Sequence, residues 1–355
     1  MYKAKGKFRM IVTICAFVAI GILIVFSDVC KTGIERGIVI CGNVIIPSLF
    51  PFTVCVLMIM NMNITVKNKL VLKTIYYIFG QNFEMFCVMF FSMLGGYPVG
   101  SKLINELFSQ NKINKKTANI MQMYCVNAGP AFIITAVGCG VLGSKNIGII
   151  LFVSHISASF IVALCTSKFI RKNLRPVQEE SVKQKSFSET FVASTADAAS
   201  SVMSVCVYVI LFSCINSYVV YFGSGVPLLE NVIFFTEITS GITYTKNIIF
   251  ISFLLGFSGI SIWCQIFSLS KNAKPDLKLF VLGRILHGGL SGIITCFLLK
   301  LFKIKQTVFS NLLIAGKKMF YDNISISISL AVMVIVLLIC IYTKNSCRKM
   351  IDDVI

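Results

Sequence analysis

Residues 90–101 read Phe-Phe-Ser-Met-Leu-Gly-Gly-Tyr-Pro-Val-Gly-Ser, an apolar run broken in its middle by glycine, proline and small polar residues. Residues 253–265 repeat the pattern as Phe-Leu-Leu-Gly-Phe-Ser-Gly-Ile-Ser-Ile-Trp-Cys-Gln. Non-helical backbone is tolerated inside a bilayer only where protein buries it or where it lines a cavity. Interrupted apolar segments at matching positions in two halves of a chain are typical of a transporter binding site.

The composition places the chain in a membrane. It has 56% hydrophobic and 13% charged residues, against about 25% charged in soluble domains, and its mean hydropathy is +0.85. A membrane-span candidate needs about 18 apolar residues without charge. Charge-free runs of at least that length occupy residues 37–66, 117–144, 146–167, 198–229, 247–270 and 323–343. The chain is therefore expected to be an all-α polytopic membrane protein with the lipid bilayer as its partner.

The net charge of +19 does not indicate a nucleic-acid partner, because no basic helix or aromatic-plus-basic platform accompanies it. The basic residues cluster instead in connections between apolar runs, as in cytoplasmic loops of membrane proteins. The 14 cysteines are scattered singly through apolar segments, where cysteine behaves as a small hydrophobe. We expect no disulfide framework, no metal site and no cofactor.

The positive charges also order the apolar runs into a draft topology. In this draft the N-terminus is cytoplasmic, residues 28–36 are an outer connection, and residues 187–200 form an interfacial helix. The chain divides into an N-terminal membrane helix, a first repeat, a cytoplasmic linker containing the interfacial helix, a second repeat and a tail. Their ranges are 1–37, 38–168, 169–200, 201–343 and 344–355.

Each predicted repeat runs in the order helix, re-entrant or broken helical hairpin, helix, helix. The hairpins fall at residues 70–110 and 224–270. Three crossings in each half turn the second copy upside down, so the halves form an inverted repeat with a site at their interface. An alternative replaces the hairpins with full membrane spans.

The first hairpin supplies one group of candidate binding residues. The glycines permit a tight turn, and the helix that follows exposes backbone N–H groups that suit an anion. The candidates are Gly95, Gly96, Pro98, Gly100, Ser101 and Lys102. Lys102 either contributes charge there or extends to the membrane interface. A nucleotide-hydrolysing phosphate loop is excluded, because Ser101 precedes Lys102 in the reverse of the required order and no strand comes before.

Polar residues inside the other apolar runs supply the second group. Asn127, in an Asn-Ala-Gly-Pro break, either binds substrate or caps the broken helix. Glu237 is expensive in lipid and so is a functional candidate, as the carrier of a coupling proton or as a partner of Arg284. Arg284 and His287 share a helix face among glycines, and Arg284 suits a carboxylate ligand. His155 and His287 are interpreted as packed or interfacial.

Ser258, Gly259 and Gln265 accompany the second interruption and suit the orientation of a small ligand, or simply satisfy nearby backbone groups. No nucleophile, base and acid stand in a recognisable arrangement, and no acid pair has metal-ligand spacing. We therefore expect that the protein is not an enzyme.

Four stretches resemble the YlbJ family of sporulation integral membrane proteins. They are residues 95–102, 127–130, 236–241 and 256–261, and the resemblance spans residues 38 to 300 in order. The family is grouped with the nucleoside-recognition or Gate-domain proteins, which are similar to concentrative nucleoside transporters and to the membrane part of ferrous iron transporter B. That resemblance also implies inverted repeats with hairpins.

The resemblance implies a role as well: movement of dipicolinic acid, a small aromatic dianion, across the outer forespore membrane during sporulation. The residues alone indicate only an anion-compatible site. A nucleoside-type metabolite transporter and a non-transporting scaffold of a spore membrane complex stay open as alternatives. So do a homo-oligomer and association with other spore membrane proteins.

Overall fold

The computed structural model describes residues 2–62, 68–174, 186–223 and 227–302, and these ranges contain helices and no strands. The helices are α1 Tyr2–Val25, α2 Ser27–Ile40, α3 Ile46–Asn61, α4 Lys69–Phe79, α5 Phe83–Gly95, α6 Tyr97–Ser109, α7 Lys115–Tyr124, α8 Lys145–Lys172, α9 Phe187–Gly223, α10 Pro227–Thr236, α11 Ile238–Thr243, α12 Ile248–Phe257, α13 Gly259–Leu269 and α14 Leu277–Leu301, with π-helical segments at Cys41–Ile45 and Ala131–Val141. The expected last helix at 323–343 and the tail lie outside the described residues.

Five helical segments of the described chain are long and apolar enough to cross a membrane. They are Ser27–Asn61, Lys145–Lys172, Phe187–Gly223, Ile248–Leu269 and Leu277–Leu301. The pair α4 and α5, bent by 70°, is either a sixth, broken span or a re-entrant loop. The prediction of an all-helical, multi-pass membrane protein is confirmed. The inverted relation of the two halves stays a prediction.

An expected connection and an expected separate helix both belong to longer helical segments instead. Residues 28–36 belong to α2, which packs on α9 so closely that a Cβ on Gly33 would lie 2.6 Å from Cα of Cys214. Residues 187–200 are not a separate interfacial helix but the first part of the 37-residue α9. Asn61 donates a 3.1 Å hydrogen bond to Ser194 in this part. Tertiary packing extends both helices beyond what their polar residues suggested.

The first hairpin turns where the sequence predicted. Gly96 has a φ of +86° between α5 and α6, a conformation that glycine adopts without steric cost. The two helices then run back against each other. Their backbones are so close that a Cβ on Gly100 would lie 2.7 Å from Cβ of Ser92.

The second hairpin turns within the expected range of residues 224–270, but not at the interruption that indicated it. The interruption at Ser258 and Gly259, with φ values of +71° and +76°, does not reverse the chain, and α12 and α13 form one 22-residue span through it. The chain folds back at Glu237 instead, where a Cβ on Gly241 in α11 would lie 2.9 Å from Cα of Phe234 in α10. The left-handed pair Ser258 and Gly259 interrupts the hydrogen bonding of the helix without changing its direction. Reversal of the chain needs a new helix start, and at Glu237 the carboxylate caps that start.

Closely spaced backbones hold α14 in the middle of the bundle. A Cβ on Gly283 would lie 2.8 Å from Cα of Met123 in α7, and a Cβ on Gly256 in α12 would lie 2.5 Å from Cα of Gly288. Small residues at helix contacts let neighbouring backbones approach. The glycines around Arg284 therefore bring the ends of α7 and α12 to the same helix.

The hairpin packing predicts a strong contrast between two glycine-to-alanine substitutions. A Cβ on Gly100 would overlap the carbonyl oxygen of Cys125, whereas nothing lies within 4 Å of a Cβ on Gly289. Gly100→Ala should lower the free energy of unfolding by about 1–3 kcal/mol or more. Gly289→Ala should be neutral or stabilising by up to about 1 kcal/mol. Thermal unfolding in detergent, followed for both variants, measures the difference, and equal stability would contradict the packing.

Candidate functional site

The two hairpin turns and two helix breaks meet at one place, called here the junction. The turns are at Gly96 and Glu237, and the breaks are residues 125–130 and Ser258. A Cβ on Gly129 would lie 3.3 Å from the backbone nitrogen of Gly96. At the other pair, a Cβ on Gly259 would lie 3.4 Å from the carbonyl oxygen of Phe235 and 3.6 Å from the backbone nitrogen of Ile238. Each hairpin turn therefore packs on one helix break.

Two side chains join these pairs. The hydroxyl of Tyr97, at the start of α6, donates a 2.8 Å hydrogen bond to the carbonyl of Leu255 at the end of α12. Nη1 of Arg284 donates to the carbonyl of Val126 at 2.6 Å and to that of Gly256 at 3.4 Å. The first hairpin and both breaks thus share direct contacts.

Arg284 is completely buried and binds backbone rather than an acidic side chain at these positions. Besides its Nη1 contacts, Nη2 donates to the carbonyl of Met123 and, at 3.5 Å, to that of Gln122. These carbonyls end α7, and Gly256 lies near the end of α12. Helix C-termini carry partial negative charge, so two of them stabilise the guanidinium. The Nη atoms of Arg284 already donate to carbonyls, and its predicted role in binding a carboxylate stays a prediction.

Both histidines of the sequence lie at the junction. His155 and His287 are completely buried, and their ring centres are 4.4 Å apart. Nε2 of His155 accepts the backbone N–H of Ala128 at 2.9 Å, and Nε2 of His287 lies 2.9 Å from the carbonyl oxygen of His155. Because an N–H only donates and a carbonyl only accepts, His155 carries its proton on Nδ1 and His287 carries its proton on Nε2.

Asn127 is also completely buried, and its amide stabilises the break. Its Nδ2 donates to the carbonyl of Tyr124 at 2.8 Å and to Oγ of Ser92 at 3.1 Å. In the described part of the chain, Oδ1 of Asn127 has no hydrogen-bond partner, and the same holds for Nδ1 of both histidines and Nε of Arg284. Buried polar atoms are normally paired, so this concentration of open ones marks the junction as a candidate binding site.

Side-chain caps are more frequent at helix starts away from the junction than at the junction itself. Six helices that begin away from the junction each have a side chain that accepts an N–H of the first turn, from Asn68, Asn82, Asn114, Ser144, Asn247 and Asp276. Three of the four that begin at the junction, at Gly96, Pro130 and Ser258, have no such side-chain cap among the described residues. The fourth, α11, is capped by Glu237, and α2, which begins away from the junction, has no side-chain cap. Uncapped helix N-termini present N–H groups and positive potential to an anion.

Glu237 is buried and fixes the second hairpin turn. Its carboxylate accepts the backbone N–H of Thr239 at 2.9 Å and also the Thr239 hydroxyl. This arrangement is an N-cap for α11, so the carboxylate of Glu237 stabilises the hairpin turn. The proposed roles of Glu237 in proton coupling or in pairing with Arg284 stay predictions.

Lys102 binds away from the junction. Its Nζ donates to the carbonyl of Asp197 at 2.8 Å and to Oγ of Ser201 at 3.0 Å, both on α9. The lysine therefore ties the first hairpin to α9.

Two other candidates make local or structural contacts. Oγ of Ser101 donates to Oε1 of Gln122 at 2.7 Å, which joins α6 to α7. Nε2 of Gln265 donates to Oγ of Ser261 one turn earlier in α13, at 3.4 Å.

Ser258 and Gly259 lie at the second break itself, with Oγ of Ser258 donating to the carbonyl of Phe257. Gly95, Gly96, Pro98 and Gly100 shape the first turn.

The sequence reasoning missed the role of Tyr97, and it interpreted His155 and His287 as packed or interfacial without predicting that they pair with each other. A usable signal was present: each is a polar or ionisable residue inside an otherwise apolar run. The described residues contain no group of three His, Cys, Asp or Glu side chains that could hold a metal ion.

The chain is similar to the sporulation integral membrane protein YlbJ of Bacillus subtilis (strain 168). The two are 23% identical over 261 residues, which is 60% of this chain and 63% of the relative. The chain thus spans less than two thirds of the length of the curated relative it matches. No protein-family model and no solved structure matches it. The match confirms the resemblance to the YlbJ family; it adds no support for similarity to nucleoside transporters.

The contacts of Arg284 predict that lysine will not replace it. Lysine keeps the charge but lacks the planar fork that reaches two chain breaks at once. Each lost hydrogen bond to a charged group is worth about 1.5–3 kcal/mol, so Arg284→Lys should lower the free energy of unfolding by at least about 2 kcal/mol.

Arg171 provides the matched control, because it also donates to carbonyls, those of Tyr76 and Tyr77, but as a half-buried side chain at the end of α8 rather than inside the bundle. Arg171→Lys should cost about 1 kcal/mol or less. Thermal unfolding of both variants decides the matter, and an Arg284→Lys protein as stable as the parent would exclude the bracing role.

The histidine contacts predict two opposite neutral tautomers. With only two histidines in the chain, ¹⁵N-histidine NMR in detergent should show one ring protonated at Nδ1 and one at Nε2 near neutral pH. His155→Gln should remove the Nδ1–H signal and keep the other. Two identical tautomers would contradict the hydrogen bonds described here.

Proposed function

We propose that this relative of a sporulation integral membrane protein is a secondary transporter or facilitator for a small anion, with dipicolinate as the substrate. The carrying observation is the meeting of three helix N-termini without side-chain caps beside a buried arginine. A non-transporting scaffold has no need of such an arrangement, because capping residues would stabilise each helix start by about 1 kcal/mol.

The charges at the junction favour an anionic ligand. Arg284 brings a full positive charge, and its hydrogen bonds turn the negative helix ends of α7 and α12 toward its own guanidinium. The helices that begin at Pro130 and Ser258 present their positive ends to the same region. An anion bound there gains attraction from helix dipoles and arginine without displacing a side-chain cap.

The breaks also supply a way to move the ligand. Non-helical backbone at membrane depth is acceptable where it lines a substrate path, and broken helices at a repeat interface are the usual place for a transported solute. The hairpin turns touch the breaks through glycine backbones at Gly129 and Gly259. Withdrawal of one hairpin turn would open the junction to one side while the other turn keeps it closed.

The identity of the anion follows from the family resemblance, and its chemistry fits the junction. Dipicolinate carries two carboxylates on a rigid aromatic ring. Two carboxylates could engage separate helix starts, at Gly96 and at Ser258, which the Tyr97–Leu255 hydrogen bond holds near each other. Placement in the outer forespore membrane is part of the same proposal.

Uptake by reconstituted protein tests the function. Purified protein in liposomes should take up dipicolinate with saturable kinetics, and uridine should neither enter nor compete. Uptake of uridine alone would replace the proposal with a nucleoside-type carrier. No flux of either solute through protein that is monodisperse and shows a normal unfolding transition would favour the scaffold.

A matched pair of substitutions ties that flux to the junction. Asn127→Asp adds a negative charge among the open helix starts and should reduce dipicolinate uptake at least about tenfold, the equivalent of about 1.4 kcal/mol. Asn82→Asp adds the same charge at the N-cap of α5, where Asp also caps well, and should leave uptake unchanged. Unfolding curves show whether either variant is damaged. Equal uptake by two folded variants would remove the substrate site from the junction.

A further inference from the structure

We propose that a proton moves together with the anion and that His287 carries it, supplied by a line of buried hydroxyl groups along α14. This inference rests on the proposed transport function and adds its energy coupling. It comes from the hydrogen bonds of the histidine pair and from the buried polar face of α14.

The hydrogen bonds single out one nitrogen as the proton acceptor. Protonation of His155 at Nε2 would break its hydrogen bond with the N–H of Ala128, which holds the first helix break. His287 already donates from Nε2 to the carbonyl of His155, and its Nδ1 lone pair has no partner among the described residues. His287 can therefore accept a proton at Nδ1 without losing a contact.

A polar line runs along α14 toward His287. His287, Ser291 and Thr295 follow one another at intervals of four residues, share one face, and are all completely buried. Oγ1 of Thr295 donates to Oγ of Ser252 at 2.8 Å, and Oγ of Ser252 lies 2.7 Å from Oγ of Ser291. One helical turn of about 5.4 Å separates Ser291 from His287, so the proposed proton path includes one bridging water at this step.

The surroundings of His287 leave Arg284 as its main electrostatic neighbour. Of the helices packed against α14, α12 contains no ionisable side chain and α8 contributes His155 at this level. The third helix, α7, ends at Tyr124, whose hydroxyl accepts a hydrogen bond from Gln81, and the Cys125 thiol follows it. His155 is neutral by its own hydrogen bonds, so the positive charge that opposes protonation of His287 is that of Arg284.

The position of Arg284 gives a physical reason for coupling. The junction holds a guanidinium one turn from His287, and like charges so close disfavour each other. A bound carboxylate offsets that charge and makes room for a proton on Nδ1. Release of the anion restores the repulsion and expels the proton. Binding of one solute then promotes binding of the other, which is the linkage that cotransport requires.

Calorimetry of dipicolinate binding in buffers of different ionisation enthalpy measures the protons taken up. The parent protein should bind about one proton with each dipicolinate. His287→Gln keeps a donor for the carbonyl of His155 but has no titratable nitrogen, and should bind dipicolinate with no proton uptake. His155→Gln keeps an acceptor for the N–H of Ala128 and should retain the proton.

Liposomes test the hydroxyl line. An external pH below the luminal pH should accelerate dipicolinate uptake several-fold in the parent protein and should not do so in His287→Gln. Thr295→Val removes the first hydroxyl and should slow the pH-driven component. Thr166→Val, in which the lost hydroxyl bonds only within α8, should behave like the parent.

The outcomes separate the two proposals. Saturable dipicolinate uptake without proton uptake, or an undiminished proton count in His287→Gln, would overturn the coupling and leave the transport function intact. Folded protein that neither binds nor moves dipicolinate would overturn both. Proton uptake that disappears only in His287→Gln supports the assignment.

Discussion

The structure depends on the hydrogen bonds of one buried guanidinium. Arg284 holds the carbonyl ends of two interrupted helices, α7 and α12, inside the bundle where water does not reach them. An unpaired backbone carbonyl in lipid costs several kcal/mol, and so does an isolated buried charge. The hydrogen bonds between the guanidinium and the carbonyls offset much of both costs, so the helices can break inside the bundle. The breaks in turn allow everything else at the junction.

Glycines at the helix contacts let the backbones around Arg284 pack closely. Gly283 meets Met123 and Gly256 meets Gly288 at distances that leave no space for a Cβ, and Gly129 meets Gly96 at a distance that would make a Cβ a tight contact. Packing of this kind drives helix association in a bilayer, where apolar side chains gain little by leaving lipid. The same contacts hold the hairpin turns against the helix breaks, so the elements that shape the candidate site also stabilise the fold.

The junction shows a division of labour between polar groups that stabilise and polar groups that stay open. Tyr97, Glu237 and the Nη atoms of Arg284 have their hydrogen bonds within the protein. Asn127 and the histidine pair keep open atoms beside the helix starts. An open buried polar atom costs about 1–3 kcal/mol, and a site that must bind and release a solute is where such a cost is retained. The sequence similarity to a sporulation membrane protein is consistent with this arrangement without requiring it.

Composition and charge-free runs by themselves determined that the chain is helical and crosses a membrane several times, because lipid admits few other structures. The Gly-Gly-Tyr-Pro motif also determined the first hairpin turn, since glycine at Gly96 takes the positive φ that the turn needs. Only the tertiary structure decided that the second turn lies at Glu237, that Lys102 binds α9, and that Arg284 holds carbonyls. Those outcomes depend on which distant parts of the backbone meet. The local sequence around a buried cation or a left-handed residue pair is the same whichever partner contacts it, so the sequence does not specify the partner.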